Sequence, residues 1–168
     1  MTKTAMLVAL FALTSCNNGT EQDVEVFSAR LDTAEVVPPR SGEVRGNAGF
    51  TFDGANILFK VDLANLDLAR RNDRFLRIRI HSGTRGTNGA PLVSSTLPEY
   101  SMSTSGPRLL WEGRFGPAGL DSTHTVEEVV AEMRSGHAYA VVTHWQILAN
   151  GETGVAAARG QIDPLRVR

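Results

Sequence analysis

The sequence predicts an all-β domain, a sandwich or barrel-like fold of about seven short strands with one amphipathic helix. Three observations lead there. Apolar and polar residues alternate at period two in one segment after another, turn residues recur between those segments, and a single stretch shows helical spacing. A chain of 168 residues can bury about two-thirds of its unfolded surface, enough for one core. No internal repeat or shift of composition marks a second domain.

In chain order, Val24, Val26, Ser28 and Arg30 alternate with Glu25, Phe27, Ala29 and Leu31, a first strand with mixed faces. Pro38-Pro39 ends the stretch that follows, because prolines remove ladder donors. Strands over 48–52 and 57–64 flank Asp53-Gly54-Ala55-Asn56 and read as a hairpin, with Ile57, Phe59, Val61 and Leu63 on one face. A polar connection, 66–73, leads to a strand over 75–81 in which Leu76, Ile78 and Ile80 oppose Arg77, Arg79 and His81. The glycine-rich loop from Gly83 to Gly89 turns the chain. An apolar run, 90–93, follows it instead of a helix, so the loop lacks the helix N-terminus that phosphate cradles use.

Residues 99–108, rich in Ser, Thr, Gly and Pro, read as a long surface loop. Alternation resumes over 109–115, with Leu109, Trp111 and Phe115 on one face, and Gly116-Pro117-Ala118-Gly119 closes that strand. Thr125 and Glu128 form a capping box, Val126, Val129, Val130 and Met133 share a helical face, and Gly136 ends the helix. Its outward acids, Glu127, Glu128 and Glu132, are those of a solvated helix face. A strand over 137–145, a turn at Asn150-Gly151 and a strand of small residues over 155–162 complete the domain.

The amino terminus reads differently. Lys3 precedes an apolar run from Ala5 to Leu13, too short for a membrane span, which needs about 20 apolar residues. Leu13-Thr14-Ser15-Cys16 resembles the lipobox of bacterial lipoproteins, in which the peptide is cut before the cysteine and the thiol carries a diacylglycerol. On that resemblance residues 1–15 are a lipoprotein signal peptide, 16–23 a flexible tether and 24–168 a single domain anchored through Cys16 to a membrane that it does not cross. Asn17 in place of an aspartate implies the outer membrane, within a bacterial cell envelope. Cys16 is the sole cysteine, so no intramolecular disulfide is available and stability must come from packing. Losing the signal segment removes Lys3 alone and moves the formal charge from -1 to about -2, which gives no support to a nucleic-acid partner.

Several segments together resemble the CHRD domain family. Phe27-Ser28-Ala29-Arg30-Leu31 leading to Glu35-Val36-Val37-Pro38-Pro39 is similar to its opening motif, with one extra valine. Ile80-His81-Ser82-Gly83 through Gly86-Thr87-Asn88-Gly89-Ala90-Pro91-Leu92-Val93 is similar to its central segment. Gly136-His137-Ala138-Tyr139 and Arg159-Gly160-Gln161-Ile162 are similar to its last elements. The resemblance implies an immunoglobulin-like or superoxide-dismutase-like β-sandwich or barrel, of about seven to nine strands, and no established enzymatic activity. Arg79 stands where the family's first central histidine falls. The family's later strand histidine falls on Thr143, with His144 one place on, and an insertion separates Gly151-Glu152 from Arg159.

The chemistry follows the same lines. No Gly-x-Ser-x-Gly elbow, no His-Glu-x-x-His and no phosphate-binding lysine after the glycines are present. The expected function is therefore a non-catalytic, membrane-anchored extracytoplasmic binding or structural module without a cofactor, its ligand a protein or small molecule. Arg77, Arg79 and His81 form a row suited to a carboxylate, phosphate or sulfate group, since guanidinium forks match such anions. Glu35 and Arg159 are expected to pair across the barrel, being charged residues in small or apolar motifs. The alternative is a copper or zinc site or a redox protein, with His81 and His144 as the candidate ligands.

Overall fold

Period-two patterning becomes nine strands and one helix in the computed structural model, which describes residues 24–65, 76–93, 100–105, 108–120, 123–148 and 151–165. The strands are β1 (Glu25–Asp32), β2 (Arg45–Phe52), β3 (Ile57–Ala64), β4 (Leu76–Ser82), β5 (Tyr100–Ser105) and β6 (Arg108–Phe115). After the helix α1 (Val126–Arg134) come β7 (Ala138–Leu148), β8 (Gly151–Gln161) and β9 (Asp163–Pro164). The segments expected to be a lipobox and a tether, and the connection 66–73, lie outside the described residues. Among the described residues no helix is long and apolar enough to cross a membrane.

One antiparallel sheet runs in the order β4-β7-β8-β1-β2-β3-β6-β5, with β9 added beside β1. It curls so that the apolar faces of β4 (Ile78, Ile80), β3 (Ile57, Phe59, Val61, Leu63) and β6 (Leu109, Trp111, Phe115) meet in one core. The alternation in β1 resolves into a buried set, Phe27, Ala29 and Leu31. The β2–β3 hairpin closes where Asp53 accepts hydrogen bonds from the Ala55 and Asn56 amides at 2.9 and 2.7 Å, the local chemistry expected of that turn. Phe59 stacks on Phe115 at 4.8 Å and meets Trp111 edge-on at 5.8 Å.

The helix forms as the sequence predicts. Thr125 and Glu128 make the reciprocal capping box, and Val126, Val129, Val130 and Met133 are buried against the core. Arg134 at its end bridges to Glu25 and Glu127, tying the helix to the start of β1.

One expectation is corrected. Residues 100–105 are an edge strand, not a surface loop: Tyr100–Ser105 pairs with β6 in a continuous register from Tyr100↔Gly113 to Ser105↔Arg108. A Ser/Thr-rich edge strand carries little apolar alternation, and the partner strand supplies the pairing. The run 90–93 makes only isolated bridges, His81↔Pro91 and Val93↔Leu120.

Candidate functional site

Register across β4, β7 and β8 builds the site. Arg79 lies opposite Val141, which lies opposite Arg159, which in turn meets Asp32 of β1. One step along, His81 faces Tyr139, and Tyr139 faces Gln161. Side chains in such rows project from the same face of a sheet, here the face turned away from the core residues Ile78, Ile80, Ala140 and Val142. A bulge shifts the register between Val142 and Thr143 and leaves Ala157 as the extra residue of β8. Buried Thr33 donates to the Ala157 carbonyl at 2.9 Å and also reaches the Val44 carbonyl at 3.1 Å. The short 3-10 turn Thr33–Glu35 and the following Val36-Val37 are thereby held over β8.

The loop after β4 is clamped onto this face. Gly83 and Gly86 have φ of 132° and 81°, left-handed values that glycine adopts without steric cost. Arg159 donates to the carbonyls of Thr87 at 2.5 Å and Thr84 at 3.3 Å, and to Asn88 Oδ1 at 3.3 Å. Gln161 donates to the carbonyls of Gly83, Gly136 and Ala138. The Gly89 peptide is held from both sides, its N–H on the Tyr139 hydroxyl at 3.0 Å and its carbonyl on His81 Nδ1 at 3.1 Å. Asn88 in turn donates to the Val37 carbonyl at 3.2 Å.

Between the clamped loop and Val36-Val37 lies a cleft of about 260 Å³. Arg79, His81, Asn88, Tyr139, Val141 and Arg159 contribute to its lining, which among the described residues includes no Asp or Glu. Tyr139 is stacked against His81, ring centroids 5.3 Å apart, while the Arg159 guanidinium sits 3.6 Å from its ring centre. Arg159 is 3% exposed and Tyr139 2%, so this cation is buried on carbonyls, an amide oxygen and a π face, with no carboxylate among its hydrogen-bond partners.

Positive fields overlap in the cleft. Burial lowers the proton affinity of Arg159, with its electrostatic interactions with Tyr139 and Glu35 opposing it. Burial, reinforced by Arg77, does the same at Arg79. His81 is pushed below the usual histidine range by burial first, and the charges of Arg79 and Arg159 add to the shift against the Gly89 hydrogen bond. Arginine keeps its charge through shifts of this kind, so the cleft near neutral pH presents two cations and a neutral imidazole.

The expected row is thus assembled in altered form. Arg79 and His81 line the cleft, whereas half-buried Arg77 lies one row away, opposite Thr143. Arg159 takes the second cationic position from a strand eighty residues further on. The expected Glu35–Arg159 ion pair is corrected. Glu35 pairs with Arg85 of the loop at 2.8 Å, because the 3-10 turn carries it to the rim, and it acts on Arg159 only through its field. Sequence reasoning passed over Tyr139, Asn88 and Gln161 as site residues. Their signal was weak, a tyrosine at the start of an apolar strand and polar residues whose partners are backbone groups.

The alternative metal site is not assembled either. His81 stands opposite Tyr139 and His144 opposite Leu76, near opposite ends of the β4–β7 ladder. Among the described residues no group of three His, Cys, Asp or Glu side chains could hold a metal ion.

A curled antiparallel sheet with a loop clamped over a cationic cleft defines a β-rich domain of the binding or structural type. The family comparison agrees: the chain matches the CHRD domain over residues 27–152 and belongs to that family. Arg159 and Gln161 lie beyond the matched span. No match was found among curated proteins or among solved structures.

Proposed function

We propose that the protein is a non-catalytic module of the bacterial cell envelope, held to the outer membrane by a lipid on Cys16, that binds a ligand through an anionic group in the cleft. One observation carries the binding half. The cross-strand row Arg79–Val141–Arg159 sets two guanidinium-bearing residues on either side of an apolar floor, in a cleft whose described lining residues include no carboxylate. Guanidinium groups in a partly desolvated recess hold carboxylate, phosphate or sulfate oxygens by charge-assisted hydrogen bonds.

The anchor rests on Leu13-Thr14-Ser15-Cys16 and the polar run after it. The geometry of β1 suits it. The chain enters the domain at Glu25, and Asp32, in the row of the two arginines, is seven residues further along the same strand, roughly 23 Å at strand rise. The arginine row therefore lies at the far end of β1 from Glu25.

Anion binding is tested by titrating the purified protein with acetate, inorganic phosphate and sulfate while following the amide resonances of Gly89 and Val141. Saturable shifts weakened about 10- to 100-fold by Arg79→Ala support the reading. Shifts that are absent, or indifferent to Arg79, refute it. Anchoring is tested separately by expressing wild type and Cys16→Ala in a two-membrane bacterium, where only the wild type should fractionate with the outer membrane.

A further inference from the structure

Resting on the anion-binding reading above, we infer that His81 makes the cleft selective for oxyanions that carry their own hydrogen-bond donor, such as hydrogen phosphate or a hydroxycarboxylate, over bare oxyanions such as sulfate. The argument turns on one proton. His81 Nδ1 lies 3.1 Å from the Gly89 carbonyl oxygen, and a carbonyl can only accept, so Nδ1 carries the hydrogen. The neutral ring then has a lone pair on Nε2, which makes no hydrogen bond to any described residue. Stacking on Tyr139 at an interplanar angle of 19° and the Gly89 bond fix the ring plane, so the imidazole cannot swing its N–H toward a ligand without breaking both contacts.

The charges around His81 keep it in this state. Arg77 and Arg79 share its strand, Tyr139 stands on β7, and Arg159 reaches over from β8. At the rim, Glu35 is paired with Arg85, and the Asp32 carboxylate caps the Ala34 amide. Among the described lining residues no carboxylate favours the imidazolium, and burial with the two arginines disfavours it. An anion drawn between Arg79 and Arg159 therefore meets two cationic donors and, beside them, an acceptor. A fully deprotonated oxygen turned toward Nε2 sets lone pair against lone pair. A P–OH or C–OH in the same place donates a hydrogen bond. Sites built around a buried polar group discriminate strongly against the analogue that cannot satisfy it.

The test uses the full chain and two matched pairs of probes, phosphate against sulfate and lactate against propionate, each titrated near neutral pH. The expected result is that phosphate binds about 10- to 100-fold more tightly than sulfate. Lactate should likewise bind more tightly than propionate, and equal binding of the two would overturn the selectivity for hydroxycarboxylates. In His81→Phe, which keeps an aromatic ring against Tyr139 and removes both nitrogens, the phosphate–sulfate gap should close. A second measurement needs no variant: on acidification of the wild type through the titration of His81, Nε2 becomes a donor and sulfate should gain on phosphate. Equal binding of phosphate and sulfate, with both weakened by Arg79→Ala, overturns the selectivity and leaves the anion site standing. Failure of every probe to respond to Arg79→Ala overturns the anion reading itself. A phosphate preference that survives both His81→Phe and acidification assigns the selectivity elsewhere and also overturns the inference.

Discussion

Replacing Arg159 by methionine is the sharpest test of how the cleft is held together. The side chain is 3% exposed and donates to Thr87, Thr84 and Asn88 at 2.5, 3.3 and 3.3 Å. Hydrogen bonds from a charged donor contribute about 1.5–3 kcal/mol each, but only the Thr87 contact is short, and the other two exceed the usual range. Together they contribute about 2–3 kcal/mol. The guanidinium 3.6 Å from the buried Tyr139 ring centre adds about 1–2 kcal/mol. Methionine keeps much of the apolar stem and removes a desolvated cation, which returns about 1–2 kcal/mol. The net loss is about 2–3 kcal/mol, or a fall in Tm of about 5–10 °C for a chain of this size. Urea and thermal unfolding followed by near-UV circular dichroism measure it, and amide exchange should show Gly89 losing protection ahead of the β2–β3 hairpin. Arg159→Lys should recover less than half, because an ammonium cannot span three acceptors with the geometry of a fork. A loss below about 1 kcal/mol, or full recovery by lysine, would refute the clamp.

Other positions give contrasting expectations. A Cβ at Gly160 would lie 2.1 Å from the Arg30 carbonyl oxygen, whereas one at Gly49 would meet nothing within 4 Å. Gly160→Ala should therefore cost about 3 kcal/mol or more and Gly49→Ala be neutral or slightly stabilising, read as urea midpoints. Thr33→Val keeps the shape but strips the hydroxyl from the Val44 and Ala157 carbonyls, and should cost about 1–3 kcal/mol; a neutral result would mean that the β8 bulge is not held from this side. His81 has a folded-state proton affinity below its ordinary value of 6.5 because of burial, so the unfolded chain takes the proton first. Its contribution to stability is complete above that value, declines as the pH falls below it, and levels off once the folded protein is also protonated. His81→Phe should flatten that part of the profile of urea midpoint against pH, and a slope that persists unchanged would place its origin in another group.

Much of the fold was legible because the signals are local. The β2–β3 hairpin follows from alternation on either side of Asp53 to Asn56, and α1 from Thr125, Glu128 and four apolar residues at helical spacing. β5 was not legible, since a Ser/Thr-rich edge strand takes its conformation from hydrogen bonds to β6 and not from its own pattern. The site divides along the same line. Alternation over 75–81 by itself placed Arg77, Arg79 and His81 on one face, and the glycines announced a turn after them. Which residues join them was decided by the register of β4 on β7, strands far apart in sequence, and by that of β7 on β8, where the extra residue at Ala157 sets which row Arg159 enters. Pairing over such separations depends on how the whole sheet curls around one core, and no window of sequence contains that information. The tertiary structure therefore exchanged Arg77 for Arg159 in the cleft, gave Glu35 to Arg85, and left His81 beside two arginines instead of a second histidine.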